Sequence, residues 1–231
     1  VTTAGAAGRA RPGAEALPDW LRPVSELVGQ VRAEQLSRIP APSEGGRPSA
    51  VLILFGEGGD GPDLLLTERA HSLRAHAGQI AFPGGSLDPQ DGDPAGEGPP
   101  RAALREAWEE TGLEPDGVQV FGVLPRLYVP VSDFVVTPVL GWWRVPSPVA
   151  PVDAAETAAV FRVPLGDLTD PGNRIRVRHP SGFTGPGFLV GGHLVWGFTA
   201  GLIDRILHHA GWERPWDTAR TLTLDEAQRA A

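Results

Sequence analysis

Apolar positions along the chain follow two periodicities, and the switching between them predicts a mixed α+β sandwich. From 23 to 39, Val24, Leu27, Val28, Val31 and Leu36 recur at near-helical spacing behind Ser25 as a cap, which predicts a helix packed on the domain. Pro40, Pro42, Gly45, Gly46 and Pro48 then mark a linker. The β-rich runs 50–55 and 63–68, separated by GEGGDGP, predict a hairpin with a glycine-rich loop. A short strand at 80–82 runs into Pro83-Gly84-Gly85, where glycine lets the backbone turn tightly and approach a ligand. Strand-like runs follow at 118–129 and 134–143, interrupted by Pro125 and Pro138, and again at 160–163 and 174–178, with a glycine-rich hairpin at 181–192. A closing helix over 194–209 keeps Leu194, Phe198, Leu202, Ile203 and Ile206 mostly on one side, and the segment beyond it has room for one short amphipathic helix.

The most informative pattern lies between the third strand and the next strand pair. Residues 88–100 are polar and rich in Gly and Pro, a loop; Pro99 and Pro100 suit a first helical turn, and Gly112 supplies the stop. Leu104, Ala107, Trp108 and Thr111 form a packing stripe, which places Trp108 in the core. Glu106, Glu109 and Glu110 are spaced three and four apart and stack on a separate, acidic face. Each such pair repels by roughly 0.2–0.5 kcal/mol, and the helix C-terminus adds an unfavourable dipole. A positive partner is therefore expected, and a hard, oxygen-seeking divalent cation such as Mg2+ or Mn2+ fits, with a substrate phosphate completing its shell.

With 231 residues, one main domain over 18–210 is expected, with a disordered tail at 1–17 and a C-terminal tail at 211–231. A formal charge of −8 argues against nucleic acid as a partner and requires a local basic patch for any anionic ligand. The absence of Cys removes disulfides, thiolate metal sites and Cys nucleophiles. No apolar run approaches the ~20 residues of a membrane span and no secretion signal is evident, so a cytoplasmic protein without membrane association is expected. A homodimer is compatible with this reading.

The run Arg105-Glu106-Ala107-Trp108-Glu109-Glu110-Thr111-Gly112-Leu113 resembles the second half of the Nudix box, the loop-helix motif of the Nudix hydrolases. Upstream, Leu65-Leu66-Thr67, Arg69, Ala70, Arg74, Gly78 and Phe82-Pro83-Gly84-Gly85 resemble the additional signature of the coenzyme A diphosphatase branch, with Ala70 where Ser is usual. One departure stands between the two. Counting back from Arg105 puts Glu97 at the first acidic position of the box, with Asp91 where a Gly belongs. Counting forward from Gly85 puts Asp91 at the acidic position and leaves an insertion of about six residues before Arg105. The second register keeps a carboxylate in place of a carboxylate.

The resemblance implies a Nudix-type α/β/α sandwich and metal-dependent hydrolysis of a nucleoside diphosphate linked to another group. Glu106, Glu109 and Glu110 would hold Mg2+ or Mn2+, with the Gly85 carbonyl as a further ligand. Glu109 or Glu106 would serve as the base, and Arg105 would orient a glutamate, plausibly Glu109. The branch implies coenzyme A or acyl-CoA as substrate, giving 4′-phosphopantetheine and adenosine 3′,5′-bisphosphate. Arg69 and Arg74, with His71 and His76 beside them, would meet its phosphates, and Gly84 would line the approach. ADP-ribose, a dinucleotide, or a non-catalytic nucleotide sensor are the alternatives.

Overall fold

The computed structural model describes residues 16–42, 45–72 and 76–231, so the tail expected at 1–17 lies outside the described residues except at its end. The strands are β1 (Arg47–Gly58), β2 (Gly61–Arg69), β3 (Ile80–Ala81), β4 (Gly84–Ser86), β5 (Val118–Val123), β6 (Leu127–Val129), β7 (Phe134–Trp143), β8 (Thr157–Pro164), β9 (Arg174–Arg178), β10 (Thr184–Val190), β11 (His193–Val195) and β12 (Thr221–Thr223). The helices are α1 (Arg22–Leu27), α2 (Ala33–Leu36), α3 (Gly98–Thr111), α4 (Leu165–Thr169), α5 (Gly197–His209) and α6 (Leu224–Ala230).

A mixed sheet runs β3-β2-β1-β7-β5, with β4 against β1, β6 against β7 and β8 against β2. Its centre is β1, parallel to β7 and antiparallel to β2 and β4. Both faces of β1 are covered, which is why its sequence is an unbroken apolar run. Ala50, Leu52 and Leu54 pack with Ala102, Ala103 and Ala107 of α3, while Ile53 and Phe55 join Leu21, Val24 and the α5 residues Leu202, Ile203 and Ile206 on the other side. The result is the α/β/α sandwich. A smaller sheet, β11-β10-β9-β12, lies beside it, and its last strand comes from the segment after α5.

Local chemistry explains where the elements differ from the sequence reading. The helix expected over 23–39 is split into α1 and α2, because Gly29 just past the end of α1 takes φ 77°, a left-handed conformation that closes a helix. Pro125 does separate β5 from β6, but Pro138 does not interrupt β7. Residues beside it face the gap between β5 and β6, where no donor is required, and its carbonyl accepts from the Leu124 N–H at 2.9 Å. Leu194 belongs to β11, and α5 begins at Gly197.

The smaller sheet is fastened to α5 through a buried cation. Arg174 of β9 is 1% exposed; it bonds the Asp204 carboxylate on α5 and Glu213 beyond it, and stacks 4.5 Å from the Trp216 ring. Removing Arg174 takes one arginine from the buried Asp204 carboxylate, which keeps Arg205, and removes a cation from Glu213, which keeps His208 and Trp216. Arg174→Met is expected to lower the unfolding free energy by about 3 kcal/mol, and urea titration followed by far-UV dichroism would measure it.

Candidate active site

The rotation of α3 about its axis decides the site. Ala102, Ala103 and Ala107 are fully buried, Thr111 closes the stripe, and Trp108 is 52% exposed instead of in the core. Glu106 follows Ala102 by one turn and Glu110 follows Ala103 by two, so at 3.6 residues per turn both glutamates lie on the arc that faces the sheet. The acidic and packing faces expected to be separate therefore overlap. The small alanines let the helix approach β1 and β4 closely, and the longer glutamates fill the space next to the turn before β4.

Arg105 sits at the centre of this arrangement. Its Nε and Nη2 donate to Asp91 Oδ1 and Oδ2 at 3.1 and 2.9 Å, a bidentate pair. Nη1 donates to both Glu106 Oε1 and Glu109 Oε2 at 2.9 Å, and Nη2 also reaches the Ser86 carbonyl at 3.0 Å. The Asp91 side chain is only 4% exposed. Its pairing with Arg105 holds its carboxyl below the usual range despite burial, and in return raises the guanidinium. The structure thus gives Arg105 to Asp91, whereas Glu97 is exposed at the N-cap of α3, 3.6 Å from Arg101.

Two glycines bring the preceding turn against these carboxylates. Gly84 takes φ 156° beside β1, where a side chain would collide with the Ala50 carbonyl, and its N–H donates to Glu110 Oε2 at 3.1 Å. A side chain at Gly85 would collide with the Glu106 carboxylate. Burial pushes Glu110 up to about 7, aided by repulsion from Glu106 and Glu156 and opposed by the Gly84 N–H and by Arg69. Burial also raises Glu106, with Arg105 opposing.

The donor set suits a hard cation: carboxylate oxygens beside glycine backbone, with no thiolate and no imidazole among them. Its geometry differs from the expected cluster. Among the described residues no group of three or more His, Cys, Asp or Glu converges as a metal cage. Arg105 draws Glu106 and Glu109 to itself, and Gly84 takes Glu110. The space reserved over Gly85 and the raised Glu110 nonetheless mark carboxylates that a cation would favour in their charged form.

The other expected residues fall in different places. Arg69, at the end of β2, acts electrostatically on Glu110 and has a buried Nε without a hydrogen-bond partner among the described residues. His76, at φ 58°, faces Gln79 with Nδ1 2.8 Å from Oε1, and His71 faces Glu68. Arg74 lies outside the described residues. The sequence offered no reason to single out Glu156, yet it acts on Glu110. Its segment crosses the end of α3, where Ala150 and Val152 donate to the Thr111 and Glu110 carbonyls at 3.0 and 3.2 Å. No local signal announces that contact, because it joins residues far apart in the chain.

Comparison with known proteins agrees with this geometry. Residues 46–181 match the NUDIX domain. The chain is 40% identical over 163 residues to the uncharacterized Nudix hydrolase NudL of Cronobacter sakazakii, covering 67% of this chain and 78% of that protein. It is 37% identical over 202 residues to NudL of Citrobacter koseri, covering 84% of this chain and 95% of the relative. Among solved structures, the Nudix hydrolase RenU of M. smegmatis shares the fold, with a TM-score of 0.51 and 19% identity over 75% of this chain and 91% of that one. The chain belongs to the Nudix hydrolase family, and its chemistry is that of a Nudix-type pyrophosphohydrolase.

Proposed function

We propose that the α3 carboxylates and the Pro83-Gly84-Gly85 turn hydrolyse the diphosphate of a nucleoside diphosphate derivative. The observation that carries this reading is the grip of Arg105 on Asp91, Glu106 and Glu109, next to a turn that presents bare backbone to the same carboxylates. Nudix hydrolases use Mg2+ or Mn2+. Here Glu106, Glu109 and Glu110, with the Gly85 carbonyl, would hold the ion. Bound there, it would offset the phosphate charge and activate water as a nucleophile.

The chain's own groups do the rest. Asp91 locks the Arg105 guanidinium by two parallel bonds, and Arg105 in turn fixes where Glu109 stands. Glu109, more exposed than Glu106 or Asp91, is the leading candidate to accept the proton of the attacking water, with Glu106 second. Arg69 supplies positive charge toward the anionic substrate, with Arg74 and His76 as further expected contacts, and Gly84 allows close approach.

A narrower reading names coenzyme A or acyl-CoA as the substrate. Its support is the upstream signature of Leu65-Leu66-Thr67, Arg69, Ala70, Arg74, Gly78 and Phe82-Pro83-Gly84-Gly85. Incubating the protein and Mg2+ or Mn2+ with coenzyme A, ADP-ribose and a dinucleoside polyphosphate, followed by mass spectrometry, separates the readings. Turnover of coenzyme A to phosphopantetheine supports the narrower one. A clear preference for ADP-ribose or the dinucleotide rejects it, and tight binding without turnover of any compound indicates a sensor.

Glu109→Gln is expected to lower kcat by about 10²–10³-fold on the best substrate while the protein remains folded. Unchanged turnover would remove the carboxylate site from the chemistry. Glu110 supplies a second expectation. Its folded-state pKa is raised above the unfolded value, so its contribution to stability is fully present below about pH 4.5 and is lost as pH rises through about 7. In chelator, that loss is on the order of 3 kcal/mol and Glu110→Gln removes it. Added Mg2+ is expected to raise Tm at pH 8 far more than at pH 5, since proton and cation compete for one carboxylate. Calorimetry across pH, with and without the ion, measures both effects.

A further inference from the structure

Glu68 and Arg69 are successive residues of β2 and point to opposite faces of the sheet. Leu65 packs on the α3 side, and Leu64 and Leu66 on the other. Arg69 follows Leu65 toward the carboxylates, and Glu68 follows Leu66 toward the smaller sheet. There Glu68 meets two imidazoles: His71 Nε2 lies 3.0 Å from its Oε1, and His193 Nδ1 of β11 lies 3.8 Å from its Oε2. Each ring is held in turn. His71 covers Gly78, where a Cβ would stand 2.7 Å from the ring and where φ is 66°. His193 stacks on Phe161 of β8, with centroids 4.3 Å apart and planes 8° from parallel.

Directly across from these residues the pairing of β2 with β8 slips. Glu68 faces Ala159 and Arg69 faces Thr157, leaving Ala158 as an extra residue. A bulge of this kind breaks the ladder and turns the side chains beside it. Arg69 keeps its main-chain bonds to Gly78 and Gln79, each 3.0 Å, but its buried Nε has no hydrogen-bond partner among the described residues. A long, rotamer-rich side chain at such a place needs its backbone fixed by something else.

We infer that Glu68, flanked by His71 and His193, is a positioning residue that pins the end of β2 opposite the β8 bulge from the far face and so aims Arg69 at the carboxylate site. The clamp acts through the main chain: the His71 ring lies over Gly78, in the space a side chain there would need, Gly78 bonds Arg69, and Glu68 ties the strand to β11. It touches neither substrate nor carboxylates. Glu68, His71 and His193 lie outside the residues that carry the family resemblance. The inference rests on Arg69 meeting the substrate's negative charge.

The test compares Glu68→Gln, His71→Gln and the double variant on the best compound of the substrate panel, with Mg2+. Each single change is expected to raise KM about threefold with kcat within about twofold, and the double variant to be no worse than either single, as for members of one interaction. In an Arg69→Ala background, His71→Gln is expected to add nothing. Amide hydrogen exchange at Arg69 and Gly78 is expected to quicken in His71→Gln, a readout independent of turnover. A fall in kcat at constant KM, additive effects, or a His71→Gln effect that persists without Arg69 overturns the inference. If no compound is turned over by the unsubstituted protein, the proposed function fails, and exchange still decides: unchanged rates at Arg69 and Gly78 overturn the clamp as well.

Discussion

A single guanidinium reconciles the charges of the site. Glu106 and Glu109 lie on neighbouring turns of one helix and would repel each other, and Asp91 is nearly sealed from water; Arg105 bonds all of them and the Ser86 carbonyl besides. Burial would ordinarily push these carboxyls toward their neutral forms. Because the planar guanidinium offers its donors in a fixed fork, it meets Asp91 with two parallel bonds and still has Nη1 for the glutamates. A lysine could supply the charge but not that geometry. Glu110, which lacks this partner, shows the consequence, since its carboxyl rises to about 7 even though the Gly84 N–H donates to it.

The helix can carry such a load because its other inward residues are small. Ala102, Ala103 and Ala107 let α3 settle against β1, and that close approach turns Glu106 and Glu110 toward the glycine turn instead of into solvent. Gly84 and Gly85 complete the fit from the opposite side, since any side chain at either position would strike β1 or Glu106. The sheet serves as a divider. Strand alternation sends Arg69 to the carboxylate side and Glu68 to the side of the smaller sheet, so groups on separate faces are connected through two adjacent backbone units.

The loop before α3 shows how a motif survives an insertion. Asp88 and Asp91 close a short turn, with the Asp88 N–H donating to Asp91 Oδ2 at 2.8 Å, and the chain then winds through Asp93 to Gly98 before the helix begins. Extra residues in an exposed loop cost little. What must be kept is a carboxylate within reach of Arg105, and Asp91 provides it while Glu97, although well placed by counting, stays at the surface.

Much of the architecture was legible in the sequence for local reasons. Apolar runs announced β1 and β7, although Pro138 read as an interruption of the second, the proline pair and Gly112 bounded α3, and the spacing of Glu106, Glu109 and Glu110 marked its acidic character. Contacts between residues distant along the chain were decided only by the tertiary structure. The rotation of α3 placed Trp108 outside and the glutamates inward, because periodicity identifies a helix but packing against a particular sheet chooses which arc is buried. The gap between β5 and β6 made Pro138 tolerable within β7, and the three-dimensional reach of Arg105 selected Asp91 over Glu97. A sequence determines local conformational preference; the partner of a charge, and the face a side chain turns to it, are fixed when remote segments exclude water from the same place.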